Sequence, residues 1–543
     1  MITMPTSNLA TNSGNISKLE IFSNKVSGSK DISAGVVECD YYESILEPTV
    51  RFSILVSDSG HEVGGGDKAV SAIQYLKLSG SEKVHLTIED AYGNKLKYEG
   101  DNALYVEKVR NITSSESGMT YIIDLFSQEA IANDLAACEV YRRFDGEISA
   151  TANAILTDAL KTKKNIILDT TANKFNVEGR GKKPFRLIAE IATRGVSAKS
   201  KSSAGYLFFE TYDGFNFRSI DNLFDDSEGA RTYIYNNSTE LPVGYEAKII
   251  RYDADQSISV SKNLHSGAYG SSLQTSNTYS HVYNTKAQEI TTDEQKVHGG
   301  IDVPELAKDF LELFQSTVSK TFKKKDDVGN LPTGSTEEQV DQATEPNLKL
   351  DEVILQSAMT YNKLFSLDIT IAVPGDYTIR AGSIVHADFP QKDAKMDKGD
   401  DFDKELSGLY IVSDVCTHLT QKHTVTKMRL VRDSYGRQPN RNTATAGRPA
   451  LAGQESPRGI FGSKDTNPFS EFGNTDEEIA RRLSAEEKDL VNRWNSGTWE
   501  PSGTTDTGGN VIDRTSVGKE VDVDLDAGYD DPNFNPDDYL ELY

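Results

Sequence analysis

The stretch spanning residues 183–224 constrains this chain more than any other, because Pro184 opens an apolar helical pattern and a hairpin crowded with aromatic residues follows it. Leu187, Ile188 and Ile191 recur at helical spacing, and proline suits a first helical turn, where its missing N–H would be unpaired in any case. Gly205-Tyr206-Leu207-Phe208-Phe209-Glu210-Thr211 has strand composition, Tyr212-Asp213-Gly214 reads as a turn, and Phe215 and Phe217 alternate on the returning strand. The pattern predicts a helix beside a tight hairpin with aromatic pairs facing each other across it. Such a cluster makes a core. It offers no group suited to acid–base or nucleophilic work.

The flanks read as β. Before the hairpin, strand patterns fall at 50–56, 75–78, 84–88, 104–112 and 120–125, with a short helix over 128–135 and a longer one over 149–161. After it, β patterns fall at 245–252 and 257–260, then resume at 367–371, 383–386 and a hairpin over 409–432. Between them lies a polar stretch, 265–347, with one helix expected over 304–322, carrying Leu306, Phe310, Leu313 and Phe314 on one face and closed by Lys323, Lys324 and Lys325. Short strands at regular spacing predict antiparallel barrels or sandwiches. Leu104-Tyr105-Val106 and Leu409-Tyr410-Ile411 echo one another, as a duplicated barrel or any two hairpins would. At 543 residues several domains are expected, since single cores stop growing near roughly 250–300 residues.

Residues 1–17 read as a flexible arm. Residues 437–543 are poor in aliphatics and predict a largely disordered acidic arm. Within it a capping pattern at Thr475 and Glu478 opens a helix near 475–496 with Ile479, Leu483, Leu490, Val491 and Trp494 on one stripe. With Trp499 close by, that helix reads either as a docking peptide for a partner or as one that folds back on its own body.

With 58 basic and 83 acidic residues, the net charge of −25 argues against a protein that grips nucleic acid through its phosphates. An acidic surface lets DNA pass unbound, and is also a common solubility device. Cys39, Cys138 and Cys416 form neither a disulfide framework nor a zinc pattern, so reduced thiols in a cytoplasmically made protein are expected. The start lacks a signal-peptide pattern, and no apolar run approaches the roughly 18 residues that span a bilayer.

Candidate chemistry fails on spacing. His61-Glu62 begins a zinc-protease motif, but Gly65 stands where the second histidine belongs, and Gly64-Gly65-Gly66-Asp67-Lys68 lacks phosphate-loop spacing. No nucleophile elbow occurs. Cys416 and His418 can share a strand face without the rest of a thiol site, and His418 and His423 can meet across a turn without further metal ligands. Asp522, Asp524 and Asp526 begin like a calcium loop, yet Ala527 and Asn533 stand where glycine and glutamate are needed. Carboxylates are too many to single out a glycosidase pair. No catalytic, cofactor-binding or metal residue is assigned, and no enzyme is expected.

The order of Pro184-Phe185, helix and the run from Phe208 through Glu210, Tyr212, Gly214 and Phe217 to Arg218-Ser219-Ile220-Asp221 resembles the central baseplate hub family of T-even-type contractile-tailed phages. The resemblance covers roughly residues 16–436, more weakly outside the hairpin, and the closing stretch, 374–390 with 407–436, also resembles that family's second tube domain. It implies a mainly β, α+β fold with two antiparallel β-barrel tube domains, 18–145 and 236–264 with 348–436, flanking an α/β domain at 146–235 and carrying 265–347 as an insertion. It further implies a homotrimer whose barrels form a pseudo-sixfold ring in the virion's tail baseplate, assembled in the host cytoplasm. Its partners would be the tail spike, tube or tube-initiator proteins and the tape-measure protein, with DNA passing unbound and no membrane insertion. The alternatives are a tail-associated cell-wall-degrading enzyme and a receptor-binding adhesin.

Overall fold

Alternating burial builds residues 14–127 into a barrel. Its strands are β1 (Gly14–Phe22), β2 (Ser29–Asp31), β3 (Val36–Ser44), β4 (Arg51–Asp58), β5 (Lys83–Asp90), β6 (Lys95–Tyr98), β7 (Leu104–Ser115) and β8 (Gly118–Ser127). Leu19 and Ile21, Phe52, Ile54 and Val56, and Tyr121, Ile123 and Leu125 point into one core. Buried side chains of this kind contribute about 1.5–3 kcal/mol each. The order around the wall is β3-β4-β8-β7-β5-β1, with β2 on β1 and β6 on β5. The computed structural model describes residues 14–60, 70–90, 93–115, 118–199, 204–225, 230–235, 241, 245–255, 260–277, 282–289, 299–300, 306–314, 316–325, 350–389, 402–403, 405–420 and 423–436. The glycine-rich loop after His61, residues 1–13 and the whole of 437–543, with its expected disorder, helix and tryptophans, lie outside them.

The middle segment carries β9 (Arg143–Phe144), β10 (Ile166–Leu168), β11 (Val177–Glu178), β12 (Tyr206–Thr211) and β13 (Gly214–Ser219). The aromatic hairpin forms as its sequence predicts, with Phe208 opposite Phe217. Parallel pairing of β10 with β13 makes a three-stranded mixed sheet. The helix Pro184–Ala192 covers it, burying Leu187, Ile188 and Ile191 against Phe208, Phe215 and Phe217.

The second barrel uses β14 (Arg231–Ile234), β15 (Ala247–Lys248), β16 (Arg251–Asp255), β20 (Leu367–Pro374), β21 (Ile384–Asp388), β22 (Gly408–Thr420) and β23 (Thr424–Arg432), and β17 (Gly270–Asn277), β18 (Val282–Glu289) and β19 (Lys320–Lys325) form a separate small sheet. Residues 247–255 act as one bent strand. Ile249 N–H bonds to Ile234 O and the next N–H, of Ile250, to Ala372 O, so the wall closes between β14 and β20. The resulting order, β16-β20-β23-β22-β21-β14-β15, encloses a core including Ile369, Ile371, Tyr410, Val412 and Leu430.

Both barrels have one strand order. Numbered along the chain as β1, β3, β4, β5, β7, β8 and as β14, the bent strand, β20, β21, β22, β23, each runs second, third, sixth, fifth, fourth, first. They differ at the last pairing, antiparallel between β5 and β1 but parallel between β21 and β14. The fifth strands match in detail. Val106 N–H bonds to Glu82 O and Val106 O accepts from Ser81 N–H; Val412 does the same with Ser383 and Gly382. Ser81 and Gly382 both have left-handed φ, 64° and 79°, and each strand then bulges, before Lys108 and before Asp414. Val106 therefore corresponds to Val412 and Leu104 to Tyr410. The Leu-Tyr echo is one residue out of this register and puts like residues on opposite faces.

Several sequence expectations give way. Residues 14–17 belong to β1 rather than to an arm. Residues 75–78 form no strand: Ser71 caps a helix Ala72–Leu76, with Asp58 accepting from Ala72 N–H at 2.6 Å. Val260 starts a helix, Val260–Ser266. The helix expected over 149–161 is α-helical only over Ile148–Ala154 and widens to a π turn over Ile155–Ala159. The helix expected over 304–322 shortens to Lys308–Phe314, and Lys323, Lys324 and Lys325 lie in β19, pairing in parallel with β17. The supposed polar insertion thus holds a sheet, on which the unforeseen helix Leu350–Leu364 packs through Leu355 and Met359 against Leu273. Residues 231–234, assigned by sequence to the α/β segment, pair with β21 because Tyr233 belongs to the second core.

Candidate functional site at the barrel junction

Past its bulge, β22 leaves β21 and pairs with β3 of the first barrel, from Asp414 opposite Ser44 to Thr420 opposite Glu38. Ile45 N–H bonds to Ser413 O at 2.9 Å as the exchange begins. One strand is thereby a wall of both barrels, and the two form a single 15-stranded sheet.

On the inner side, Glu43 of β3 ties three parts of the chain together. Its buried carboxylate accepts from Tyr41 Oη–H within the first barrel, from Tyr212 N–H at 2.7 Å in the hairpin turn, and from Ala381 N–H at 2.9 Å in the second barrel. Burial pushes this carboxyl above its ordinary range, opposed by the charge of Arg380. Arg380 donates to Asp213 at 3.1 Å and lies over the Tyr212 ring, 4.9 Å from its centroid. The Tyr-Asp-Gly turn is a wedge set between the barrels.

A second tie lies at Glu210, two residues before that turn on β12. Lys164 Nζ, 4% exposed, sits 2.8 Å from Glu129 Oε2 and 2.5 Å from Glu210 Oε1. Glu210 also accepts from Val50 N–H and Ser127 Oγ–H, and Glu129 from Thr162 Oγ–H. Burial pushes the Glu210 carboxyl up, with the neighbouring Glu129 adding to it and Lys164 opposing.

On the outer face the strands bring together residues that sequence reasoning had considered apart. His418 Nδ1 lies 2.7 Å from Asp40 Oδ1 and 3.4 Å from Glu38 Oε1. Ligand atoms of the three lie within 4.8 Å of one another, enough donors for a weakly held divalent cation completed by water, though the His418–Asp40 pair is already satisfied without one. His418 does not meet His423. Its register partner is Val425, and His423 Nδ1 lies against Thr420 Oγ1 at 3.3 Å. Cys416 faces Tyr42 across the junction; burial, with Asp40 nearby, pushes its thiol up to about 11, so it is not an activated nucleophile. The surrounding sheet face is a shallow concavity of about 680 Å³, mixed in charge, with Glu38, Asp40, Arg51, Lys108, Arg110 and Asp124 on its lining. Asp40 and Glu38 were missed because cross-strand partners far apart in sequence leave no local signal.

Among known proteins, no family model matches this chain and no curated protein matches it. Solved structures do. A tail protein from Neisseria meningitidis MC58 aligns at TM-score 0.43 and 12% identity over 78% of this chain and 97% of its own. The 43 kDa tail protein of prophage MuSo2 from Shewanella oneidensis aligns at 0.44 and 9% over 78% and 99%. An E. coli component of the type VI secretion system aligns at 0.35 and 10% over 78% and 79%. The chain itself is mainly β, with a large antiparallel sheet.

Proposed function

We propose that this chain is a structural component of a phage-type tail baseplate: a central hub, three copies of which close a ring that joins the tail tube to the central spike and lets DNA pass. The observation that supports it is the pair of barrels with one strand order, fused through a shared strand. Three copies of a two-barrel chain present six similar barrels to a sixfold tube on one side. The differing accessory segments keep threefold symmetry for a spike on the other. Here the two barrels act as the tube domains, and the segment between them, with the aromatic hairpin, as the α/β domain. The net charge of −25 keeps the channel from holding DNA or a tape-measure protein. Nothing in this role needs catalysis.

Light scattering on the purified full chain, with negative-stain images of the same sample, tests the reading. A trimer with a central hole is expected, alone or with its spike. A particle that stays monomeric in both conditions refutes it. A clearing zone on a peptidoglycan zymogram would favour a cell-wall-degrading enzyme instead.

A further inference from the structure

The two barrels use their fifth strands differently, and the difference leaves two open edges. Beyond Val412, β22 exchanges β21 for β3, so its outer edge is filled. Beyond Val106, the corresponding strand β7 parts from β5 in the same way, but nothing takes the place of β3: over 107–115 its only ladder partner among the described residues is β8. The strand equivalent to β3 in the second barrel is β16. It pairs with β20 on one edge and with no strand on the other among the described residues. The chain therefore holds one complete fifth-to-second junction and the two separate halves of another.

We propose that the open edge of β7 pairs, antiparallel, with the open edge of β16 in a second copy of this chain. The contact would repeat between copies the junction that β22 and β3 make within one. Unpaired strand edges are templates for such addition, and a head-to-tail contact of this kind closes into a ring or grows into a fibre. A further observation agrees. The open hairpin exposes Ile112, 54% accessible, which pairing would cover. The register follows from the ladders. Arg110 stands two past the bulge as Cys416 does, and Ala254 corresponds to Tyr41 because each lies opposite an inward residue of the third strand, Ile369 and Phe52, itself opposite Leu430 and Leu125. Cys416 opposite Tyr42 within the chain thus becomes Arg110 opposite Asp255 between chains.

This inference rests on the ring reading but can fail without it. In the intrachain junction Ser413 and Ile45 exchange a backbone bond, so Cys416 and Tyr42 form a non-hydrogen-bonded pair, the closest kind and compatible with a disulfide. The full chain carrying R110C and D255C together is oxidised and sized under denaturing, non-reducing conditions, beside each single variant. Interchain-linked species ending at the mass of the closed ring are expected in the double variant alone. Separately, I112K, with an unchanged circular dichroism spectrum, is expected to weaken association at least about tenfold, because it places a charge in the covered edge. A double variant that still assembles by light scattering yet links no better than the singles overturns the edge pairing and leaves the hub standing. A link within one chain, without rise in mass, assigns the edge to the chain itself and also overturns it. A protein that stays monomeric sinks both, whereas I112K associating like the parent, with linkage absent, overturns the edge pairing alone.

Discussion

Replacing Lys164 by methionine should cost the fold about 3–5 kcal/mol near neutral pH, the usual loss when one member of a buried ion cluster is removed. The lysine is 4% exposed and lies between Glu129 and Glu210, which are 5% and 2% exposed. Without it, two buried carboxylates face each other with no cation, and Glu210 loses the charge that opposes its upward shift. Burial and the repulsion of Glu129 then hold the Glu210 carboxyl further above the unfolded value of about 4.3. The sign follows directly. A carboxyl with a raised folded pKa is protonated first in the folded state, so acid stabilises the fold through that window, by up to about 1.4 kcal/mol per pH unit for Glu210. The deficit of the variant should therefore shrink from about 4 kcal/mol at neutral pH to about 1–2 kcal/mol near pH 5. Adding Glu129→Gln to the variant should recover part of the loss at neutral pH, because one repelling charge has gone. Urea unfolding followed by far-ultraviolet circular dichroism across this range measures the effect. A deficit under about 1 kcal/mol, or one that does not change with pH, would show that the three charges do not act together.

Two further outcomes follow from single positions. Gly214→Ala should destabilise the hairpin severely, because Gly214 has φ +127° and an added Cβ would lie 2.1 Å from Asn165 O, between β10 and β13; a thermal melt should show a drop of many degrees or no folded protein. Cys416, its thiol pushed up to about 11, should alkylate at about pH 8 on the order of 200-fold more slowly than a free thiol of pKa about 8.5, and labelling at the rate of a free thiol would contradict its burial.

Local signals carried much of the fold. The hairpin Tyr206–Ser219 and the helix Pro184–Ala192 were legible because turn chemistry, aromatic alternation and proline placement all agree. Residues 75–78 misled because alternation over four residues is weaker than a serine cap joined to a side-chain acceptor from a neighbouring strand. The lysines ending at Lys325 suit a helix end by charge, yet β17 offers them a strand partner that sequence cannot show. The site was less legible still. Glu38 and Asp40 lie some 380 residues from His418 along the chain, 418 against 38, and only the β22–β3 register joins them. The repeated barrel was sensed through the wrong letters: the resemblance of Leu104 to Leu409 is out of register, whereas the actual repeat is carried by backbone bonds and a left-handed turn that Ser81 and Gly382 achieve with different side chains.

The strand shared by the barrels also has a mechanical meaning. A force that pulls the barrels apart along β22 loads the bonds of seven residue pairs, Asp414–Thr420 with Glu38–Ser44, in shear and all at once, rather than unzipping them one by one. Among the described residues the barrels meet directly through this shared strand, and the wedge at Glu43, Tyr212 and Ala381 fills the inner side of the joint. Torque on one barrel thus reaches the other as rotation of a single stiff plate. A chain built this way can pass a twist from one barrel to the other without itself acting as a hinge.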